Sequence, residues 1–372
     1  MAFEDLPMSD PSTPWPATTQ PSGTERLILN AERGDADDPA LDLSAAARQG
    51  RTMFLGSDEG VRLERLIGDG EGGWGQHRRF PLDAILDLDA SGEADIEGLA
   101  EEHGWLWVLG SHARTRPKIG KQGDDRIDLT QFATLKNTRP RCLLARLPLA
   151  ADPELDGAVL PVRRDGDRRA GMLRQTKYGN RLSRLMQESP LLRPFTRIAA
   201  KEGGADLEGI AVAGNRIAIG MRGPVIQTYA VLLEVEVVPT RTGRLKILGP
   251  MHIRVLELDG LGIRDLKRDG ADLLILAGPT TGLDGPCAVY RWADWLGDPP
   301  QHDQIVRRHR PERIIDLPFG RGDDHPEGLV LIDLPEGRRD LLVICDSPAA
   351  ARIDRTTHSV RCDRFRLPDR DG

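Results

Sequence analysis

The sequence predicts an all-β fold, a β-propeller with five blades, from three observations. The 40 glycines and 27 prolines among 372 residues indicate many turns rather than long helices. Five segments repeat one plan: a short apolar strand, a turn containing Gly, Asp or Asn, and a second strand that ends in a small residue. These segments are residues 41–60, 95–115, 206–224, 262–282 and 325–348. An acidic residue recurs near the start of the first strand in most of them, which favours a repeat architecture.

The spacing of the segments predicts the number of blades. When the segments are aligned on the end of the second strand, five residues fall at equivalent points: Leu43, Glu97, Glu208, Asp265 and Glu327. They are 54, 111, 57 and 62 residues apart, so three intervals fit one four-stranded blade and the second fits a blade plus an insertion. A sixth blade is possible if residues 24–30 (TERLILN) form part of one. An antiparallel sandwich also has short strands and Gly turns, but it has no reason to repeat the acidic position.

The chain divides into a leader and one domain. Residues 1–22 are rich in Pro, Ser and Thr, which predicts a disordered leader. Residues 23–372 form the predicted propeller domain, and residues 151–195 form a partly helical insertion between the second and third recognised blades. Within residues 168–192 apolar side chains recur at near-helical spacing, at Met172, Leu173, Leu182, Leu185 and Met186.

Composition excludes several classes of protein. The net charge of -7 argues against a general nucleic-acid binder, which needs a basic surface. No apolar run approaches the ~18 residues of a membrane span, and the start of the chain has no secretory pattern. The four cysteines form no CxxC pair, so neither a zinc site nor a redox motif is indicated. We therefore expect a cytoplasmic protein that binds neither membrane nor nucleic acid.

One mouth of the central channel is the predicted site. The inner strand of a blade starts where the second strand ends, so both ends meet at the same face. The inner strands bring Glu97, Glu208, Asp265 and Glu327 there, with His325 beside the last. The ends of the second strands add Asp58, His112, Arg114, Arg222, Asp346 and Ser347. Arg222, held between two glycines and followed by Pro, is the strongest candidate for contact with a ligand.

Carboxylates gathered in a narrow channel repel one another, and the sequence leaves three remedies open. One is a divalent cation, for which Ca²⁺ suits an irregular set of oxygen ligands better than Mg²⁺. The second is a raised pKa, which leaves a carboxyl group uncharged. The third is ion pairing with Arg114, Arg222 and Arg264. The glycines that follow the glutamates, Gly98, Gly209 and Gly328, have an alternative explanation too, since they allow the inner strands to approach closely.

The loop at residues 110–126 is basic along its first half. His112 and Arg114 there suggest recruitment of an anionic ligand such as a phosphate or a carboxylate, although a solvated charged loop explains the same residues. His112 and His325 are each able to act as a general base or a metal ligand, but the sequence fixes a partner for neither.

Four segments carry a resemblance to a known family. The segments DIEGLA, GSHARTRPK, DLEGIAVAGNRIAIGMRGPV and HPEGLVLID resemble the bacterial family of domain of unknown function 3616, over most of residues 24–367. More distantly, the EGL and EGI strand starts resemble esterase-like phytases and other calcium-associated propellers. That resemblance implies that Glu97, Glu208 and Glu327 face a cation. The fourth repeat departs from the pattern with IRDLK at residues 263–267, and the first has Leu43 in place of an acid.

Two functions of different classes follow. The first is a divalent-metal-dependent hydrolase acting on an anionic or phosphorylated small molecule, with the insertion as a lid and a lactone hydrolase as a weaker variant. The second is a non-catalytic propeller that binds a protein or a ligand, in which the acids and arginines neutralise one another.

Overall fold

A computed structural model describes residues 19–30, 39–57, 60–88, 93–117, 128–136, 139–300, 305–320 and 322–369. The first 18 residues of the predicted leader therefore lie outside the described residues. The strands of the first half are β1 (Gly23–Ile28), β2 (Leu43–Gln49), β3 (Thr52–Ser57), β4 (Arg62–Gly68), β5 (Gly73–Pro81), β6 (Ile96–Glu102), β7 (Trp105–Gly110), β8 (Leu144–Ala151), β9 (Val159–Pro161), β10 (Arg164–Asp165), β11 (Arg168–Arg169) and β12 (Gly171–Met172).

The strands of the second half are β13 (Asp206–Ala213), β14 (Arg216–Gly223), β15 (Tyr229–Pro239), β16 (Leu245–Glu257), β17 (Gly262–Asp269), β18 (Asp272–Gly278), β19 (Cys287–Trp292), β20 (Arg308–His309), β21 (Glu312–Leu317), β22 (His325–Asp333), β23 (Arg339–Asp346), β24 (Ile353–Asp354) and β25 (Ser359–Arg366). The helices are α1 (Leu129–Ala133) and α2 (Arg181–Glu188), and short 3₁₀ turns occur at Phe195–Arg197, Ala200–Glu202, Trp295–Gly297, Pro335–Gly337 and Ala350–Arg352. No helix in the described part of the chain is both long and apolar enough to cross a membrane.

These strands form a five-bladed β-propeller, as the sequence predicts. Blade 1 contains β2 to β5, blade 2 contains β6, β7, β8 and β12, and blade 3 contains β13 to β16 with β20. Blade 4 contains β17, β18, β19 and β21, and blade 5 contains β22, β23, β25 and β1. The five inner strands β2, β6, β13, β17 and β22 each contact the inner strands of both neighbouring blades, so they close a ring around the central channel.

The segment TERLILN, which left a sixth blade open, belongs to blade 5. Strand β1 pairs antiparallel with β25, from Gly23 opposite Arg364 to Ile28 opposite Ser359. It also pairs in parallel with β5 at the outer edge of blade 1. The start of the described chain thus joins the last blade to the first, and this pairing covers the edges of both.

The core lies between the blades. Five clusters of buried apolar side chains each fill one interface between neighbouring blades. Strand β18 shows why its sequence reads as a continuous apolar run: Leu273 and Ile275 pack toward blade 3, whereas Leu274 and Leu276 pack toward blade 5. Successive side chains of a strand point to opposite faces, and both faces of this strand are buried.

The insertion is only partly helical. Helix α2 begins after Asn180, whose side chain accepts a hydrogen bond from the Ser183 backbone N–H, and it buries Leu182, Leu185 and Met186 against blades 2 and 3. Met172 instead lies in the short strand β12, which pairs with β8. Helical spacing therefore identifies the second half of the predicted stretch and is wrong for the first half.

Candidate functional site

A β-bulge interrupts the pairing of every inner strand with the second strand of its blade. The bulges lie near the start of β2, β6, β13, β17 and β22. The equivalent residues at these bulges are Ser44, Glu97, Glu208, Arg264 and Glu327. A bulge re-aims its side chain out of the regular alternation of the strand. The sequence alignment is therefore one residue off in two blades, because Ser44 rather than Leu43 and Arg264 rather than Asp265 occupy the repeated position.

The glycines beside the bulges allow neighbouring blades to touch. A Cβ atom on Gly98 would lie 3.1 Å from the backbone nitrogen of Ile210 in blade 3. A Cβ atom on Gly209, whose φ is +77°, would lie 2.6 Å from Cα of Asp265 in blade 4. Close approach of the inner strands thus accounts for the Gly of the Glu-Gly motif.

Arg264 links two of the repeated glutamates. Its Nε lies 3.1 Å from Oε2 of Glu208, and its Nη2 forms an ion pair with Oε1 of Glu327. Arg264 and Glu208 are buried, and only 13% of the Glu327 side chain is exposed. The Arg264 guanidinium therefore offsets the repulsion between the two carboxylates.

Arg222 approaches Glu208 from the other side. It lies at a second irregularity in the pairing of β13 with β14. Met221 pairs with Leu207 and Gly223 pairs with Asp206, so Arg222 is the extra residue between these two pairs. Its Nε lies 3.0 Å from Oε1 of Glu208, and its Nη2 donates to Oδ2 of Asp206 at 2.5 Å. Burial nevertheless raises the pKa of Glu208 to about 7, against the opposing effect of Arg222 and Arg264.

Glu97 differs from the other glutamates of the ring. It is half-buried and has no hydrogen-bond or ion-pair partner among the residues that the structure describes. Burial raises its pKa well above the usual value, and the neighbouring carboxylates of Glu208, Asp95 and Asp206 add to this effect. Arg222 opposes it only in part. The raised pKa favours the protonated form of Glu97, and it lies beside Glu208, whose pKa is about 7.

Two acids of this cluster are absent from the sequence prediction. Asp95 pairs with Arg141, and burial raises the pKa of Asp95. Asp206 pairs with Arg222. Both lie two residues before the glutamate of their blade, so the pattern Asp-x-Glu-Gly in the sequence was the signal that would have found them.

A cavity of about 290 Å³ opens at this mouth between blades 3, 4 and 5. Several predicted residues line it together: Arg222, Glu327, His325, Asp346 and Ser347. Arg264, Thr281, Asp284 and Lys201 complete the polar lining. His325 Nε2 lies 3.1 Å from Oδ1 of Asp284, and the Ser347 hydroxyl donates to Oδ1 of Asp346 at 3.2 Å. Lys201 comes from the segment between α2 and β13, just after the predicted insertion, so this connection contributes to the wall of the cavity.

Asp265 lies deeper in the channel than the glutamates. Its Oδ1 accepts from the Leu266 N–H and from Lys267 Nζ, each at 2.7 Å, and its Oδ2 accepts from the Leu329 N–H of blade 5 at 2.7 Å. Lys267 Nζ also donates to the Leu99 carbonyl of blade 2 at 3.1 Å. This pair therefore spans the channel from blade 4 and forms a floor below the mouth.

Other predicted residues lie away from this cavity. His112 is buried, and burial lowers its pKa to about 4. Its Nδ1 lies 2.8 Å from the Gly110 carbonyl oxygen, and its Nε2 lies 3.0 Å from Nδ2 of Asn180. Arg114 donates from Nε to the Thr196 carbonyl at 2.8 Å. It lines a separate cavity of about 490 Å³ with Lys136, Lys177, Arg193 and Arg197, so anion binding by Arg114 stays a prediction. Asp58 lies outside the described residues.

The predicted cation site does not fit these contacts. A hard divalent ion needs several oxygen ligands that face one point, but Glu208 and Glu327 face Arg264 and Asp265 faces Lys267. Within the described ranges no three His, Cys, Asp or Glu side chains are grouped so as to hold a metal ion. The contacts favour the alternative of arginine pairing, and the calcium ion stays a prediction.

Comparison with protein families places the chain. A family model described as "Protein of unknown function (DUF3616)" matches residues 42–363. The chain belongs to this family. The DUF3616 match runs from the residue before the inner strand of blade 1 into β25 of blade 5, so it includes all five inner strands and their bulges. A search of curated proteins finds no match to this DUF3616 chain.

Solved structures that align with this chain over most of its length include several enzymes. An exo-1,5-alpha-L-arabinanase from a bovine ruminal metagenomic library has a TM-score of 0.40 and 10% identity, over 89% of this chain and 95% of that chain. A Myxococcus xanthus glutaminyl cyclase has a TM-score of 0.41 and 10% identity, over 92% and 96%. The Cellvibrio cellulosa alpha-L-arabinanase has a TM-score of 0.37 and 10% identity, over 89% and 94%. These likenesses are too weak to bear on the activity of this DUF3616 protein.

Proposed function

We propose that the channel mouth is an active site that hydrolyses a small anionic molecule, with Glu97 as the proton donor and the mouth arginines as the binding groups. One observation carries the proposal. Glu97 is the one ring carboxyl without an ion pair among the described residues, and it lies beside the ion-paired Glu208. A carboxyl group kept without a partner in such a cluster costs stability, and costs of this kind are typical of functional sites.

The two carboxyl groups suit an acid and base pair. Protonated Glu97 donates its proton to the leaving oxygen of the substrate as the bond to that oxygen breaks. Ionised Glu208 accepts a proton from the attacking water, whose oxygen forms the new bond. Transfer of a proton from Glu208 back to Glu97 restores both groups, so the net reaction consumes one water.

The cationic side chains and the size of the cavity support a substrate class. Arg222, Arg264 and Lys201 line the cavity, and an arginine presents a planar fork that binds carboxylate or phosphate. A volume of about 290 Å³ admits a small molecule rather than a polymer segment. The proposed substrate is therefore a small ester or lactone that carries a carboxylate or phosphate group.

The proposal is tested with a matched pair of isosteric variants. Glu97→Gln removes the proton donor, whereas Glu101→Gln changes a carboxyl on the same strand near the other end of the channel, where it accepts the Gly104 N–H at 2.8 Å. The native protein and both variants are screened on phosphate monoesters, carboxylate esters and lactones. We expect Glu97→Gln to lower kcat by about 100-fold or more, as loss of a general acid does, and Glu101→Gln to retain it.

The alternative is a non-catalytic binding module. It is favoured by the ion pairs that engage Asp95, Asp206, Glu208 and Glu327. If the folded native protein turns over none of these substrates, or if Glu97→Gln turns over as fast as native, the acid and base assignment is wrong and the binding module stands.

A further inference from the structure

A second cavity lies at the outer rim of blade 2, apart from the channel. Its volume is about 760 Å³, and its walls come from the loop after β5, from β10 to β12, and from the turn between β15 and β16. Six arginines line it: Arg139, Arg163, Arg164, Arg169, Arg174 and Arg244. Its only carboxylate among the described residues is that of Asp87.

Part of the positive charge of this cavity has no counter-charge among the described residues. Arg163 pairs with Asp87 at 2.8 Å, which offsets one of the positive charges. Among the described residues, Arg169, Arg174 and Arg244 have no ion-pair partner. The chain as a whole has the opposite balance, with 58 acidic residues against 51 basic ones. The positive charge of this cavity is therefore local and does not follow from the net charge of the chain.

The frame of the cavity is hydrogen-bonded and brings the arginines together from two blades. The turn between β15 and β16 is closed by hydrogen bonds from the Thr240 N–H to the Arg244 carbonyl at 2.7 Å and from the Gly243 N–H to the Thr240 carbonyl at 3.0 Å. This turn packs on β12 of blade 2, where a Cβ atom on Gly171 would lie 1.9 Å from the Gly243 carbonyl oxygen. Only glycine at position 171 permits this contact, which holds Arg244 opposite the arginines of the insertion.

We propose that this cavity binds a small molecule with two or more phosphate or carboxylate groups. Guanidinium groups bind such oxyanions through paired charge-assisted hydrogen bonds, and several of them converge here. Ile85, Leu86 and Met172 supply apolar wall, which suits a ligand with an uncharged body beside its anionic groups. The site is independent of the hydrolysis proposed at the channel mouth.

The test uses calorimetric titration of the full chain with inorganic tripolyphosphate and, separately, with citrate. The native protein is expected to bind one or both saturably and more weakly as salt is raised. The double variant Arg169→Glu, Arg244→Glu is expected to bind about 100-fold more weakly, since each lost charge-assisted contact is worth roughly tenfold. The matched control Arg355→Glu, Arg366→Glu makes the same change of charge at exposed residues of blade 5 and is expected to stay within about twofold of native.

The outcomes distinguish a phosphate ligand from a carboxylate ligand and test the proposal. Binding of tripolyphosphate alone identifies phosphate, and binding of citrate alone identifies carboxylate. Binding of neither by the native protein overturns the proposal, and so does equal weakening in the control. If the first double variant does not fold, Arg169→Gln, Arg244→Gln replaces it, and unchanged affinity in that variant also overturns the proposal.

Discussion

Arg264 occupies in blade 4 the bulge position that Glu327 occupies in blade 5, and the two side chains form an ion pair across the blade boundary. A position that carries an acid in three blades thus carries the opposite charge in a fourth. The Arg264 guanidinium also lies 3.1 Å from Glu208 in blade 3. The ring therefore holds its own counter-charge.

Removal of this counter-charge should destabilise the fold. Arg264→Gln leaves Glu208 and Glu327 without their shared partner in a buried site, and we expect a loss of about 3–5 kcal/mol in the free energy of unfolding. Urea denaturation at neutral pH measures it. Arg310→Gln is the control, because Arg310 pairs with Glu257 at 2.6 Å but is 66% exposed, and its loss should stay within about 1 kcal/mol. Equal effects of the two substitutions would contradict a buried role for Arg264.

The same position decides the calcium prediction. In the native protein the arginine is expected to prevent cation binding, so millimolar Ca²⁺ should leave the melting midpoint unchanged. Arg264→Glu places a fourth carboxyl group in the ring, and Ca²⁺ should then raise the midpoint, since a ligand that binds the native state stabilises it. A rise in the native protein would instead support the calcium site implied by the resemblance.

The sequence predicts the blades well because each inner hairpin repeats one pattern. It misplaces the ring in blades 1 and 4 because an alignment on the end of the second strand does not detect the extra residue in the bulge. The pattern Asp-x-Glu, or Asp-x-Ser at Asp42 and Ser44, would have corrected blade 1. Blade 4 offers no such marker, because Gly262 precedes Arg264 by two residues.

Contacts between distant segments are the part that the sequence does not predict. His112 follows a second strand, as the mouth residues do, but Asn180 of the insertion binds it and it is buried. Arg114 is engaged by the Thr196 carbonyl. Both contacts depend on where the insertion folds back, and no periodicity encodes that.

The pKa of Glu97 predicts an unusual dependence of stability on pH. Its pKa in the folded state is raised, so the native protein keeps the proton while the unfolded chain loses it above about pH 4.5. The contribution of Glu97 to stability is therefore complete below that pH and is lost as the pH rises toward the folded pKa. Glutamine resembles the protonated form at every pH. Glu97→Gln should consequently become more stable than native as the pH rises, by up to about 1.4 kcal/mol per pH unit.

Urea denaturation of the native and Glu97→Gln proteins at pH 5 and pH 8 measures the difference in their free energies of unfolding. These two pH values lie on either side of the pKa of about 7 of the neighbouring Glu208. Glu312→Gln, which changes an exposed glutamate, serves as a control, and its difference in stability from native should be the same at both pH values. A variant that is more stable but inactive would show that native Glu97 is retained for chemistry at a cost in stability. A constant difference between pH 5 and pH 8 would contradict the raised pKa.

The floor of the channel allows a double-mutant cycle between Asp265 and Lys267. Lys267→Met removes the ammonium that binds Oδ1 of Asp265 at 2.7 Å and leaves a buried carboxylate, so we expect a loss of about 3–5 kcal/mol. Asp265→Asn keeps the shape but leaves the ammonium with only backbone carbonyls as partners, and it should also destabilise the protein. The double variant should lose less than the sum of the single losses, with a coupling energy of about 0.5–3 kcal/mol, because neither charge is then left without its partner. Additive losses would show that the pair acts as two independent groups, and the Leu329 and Leu99 contacts would then account for the floor.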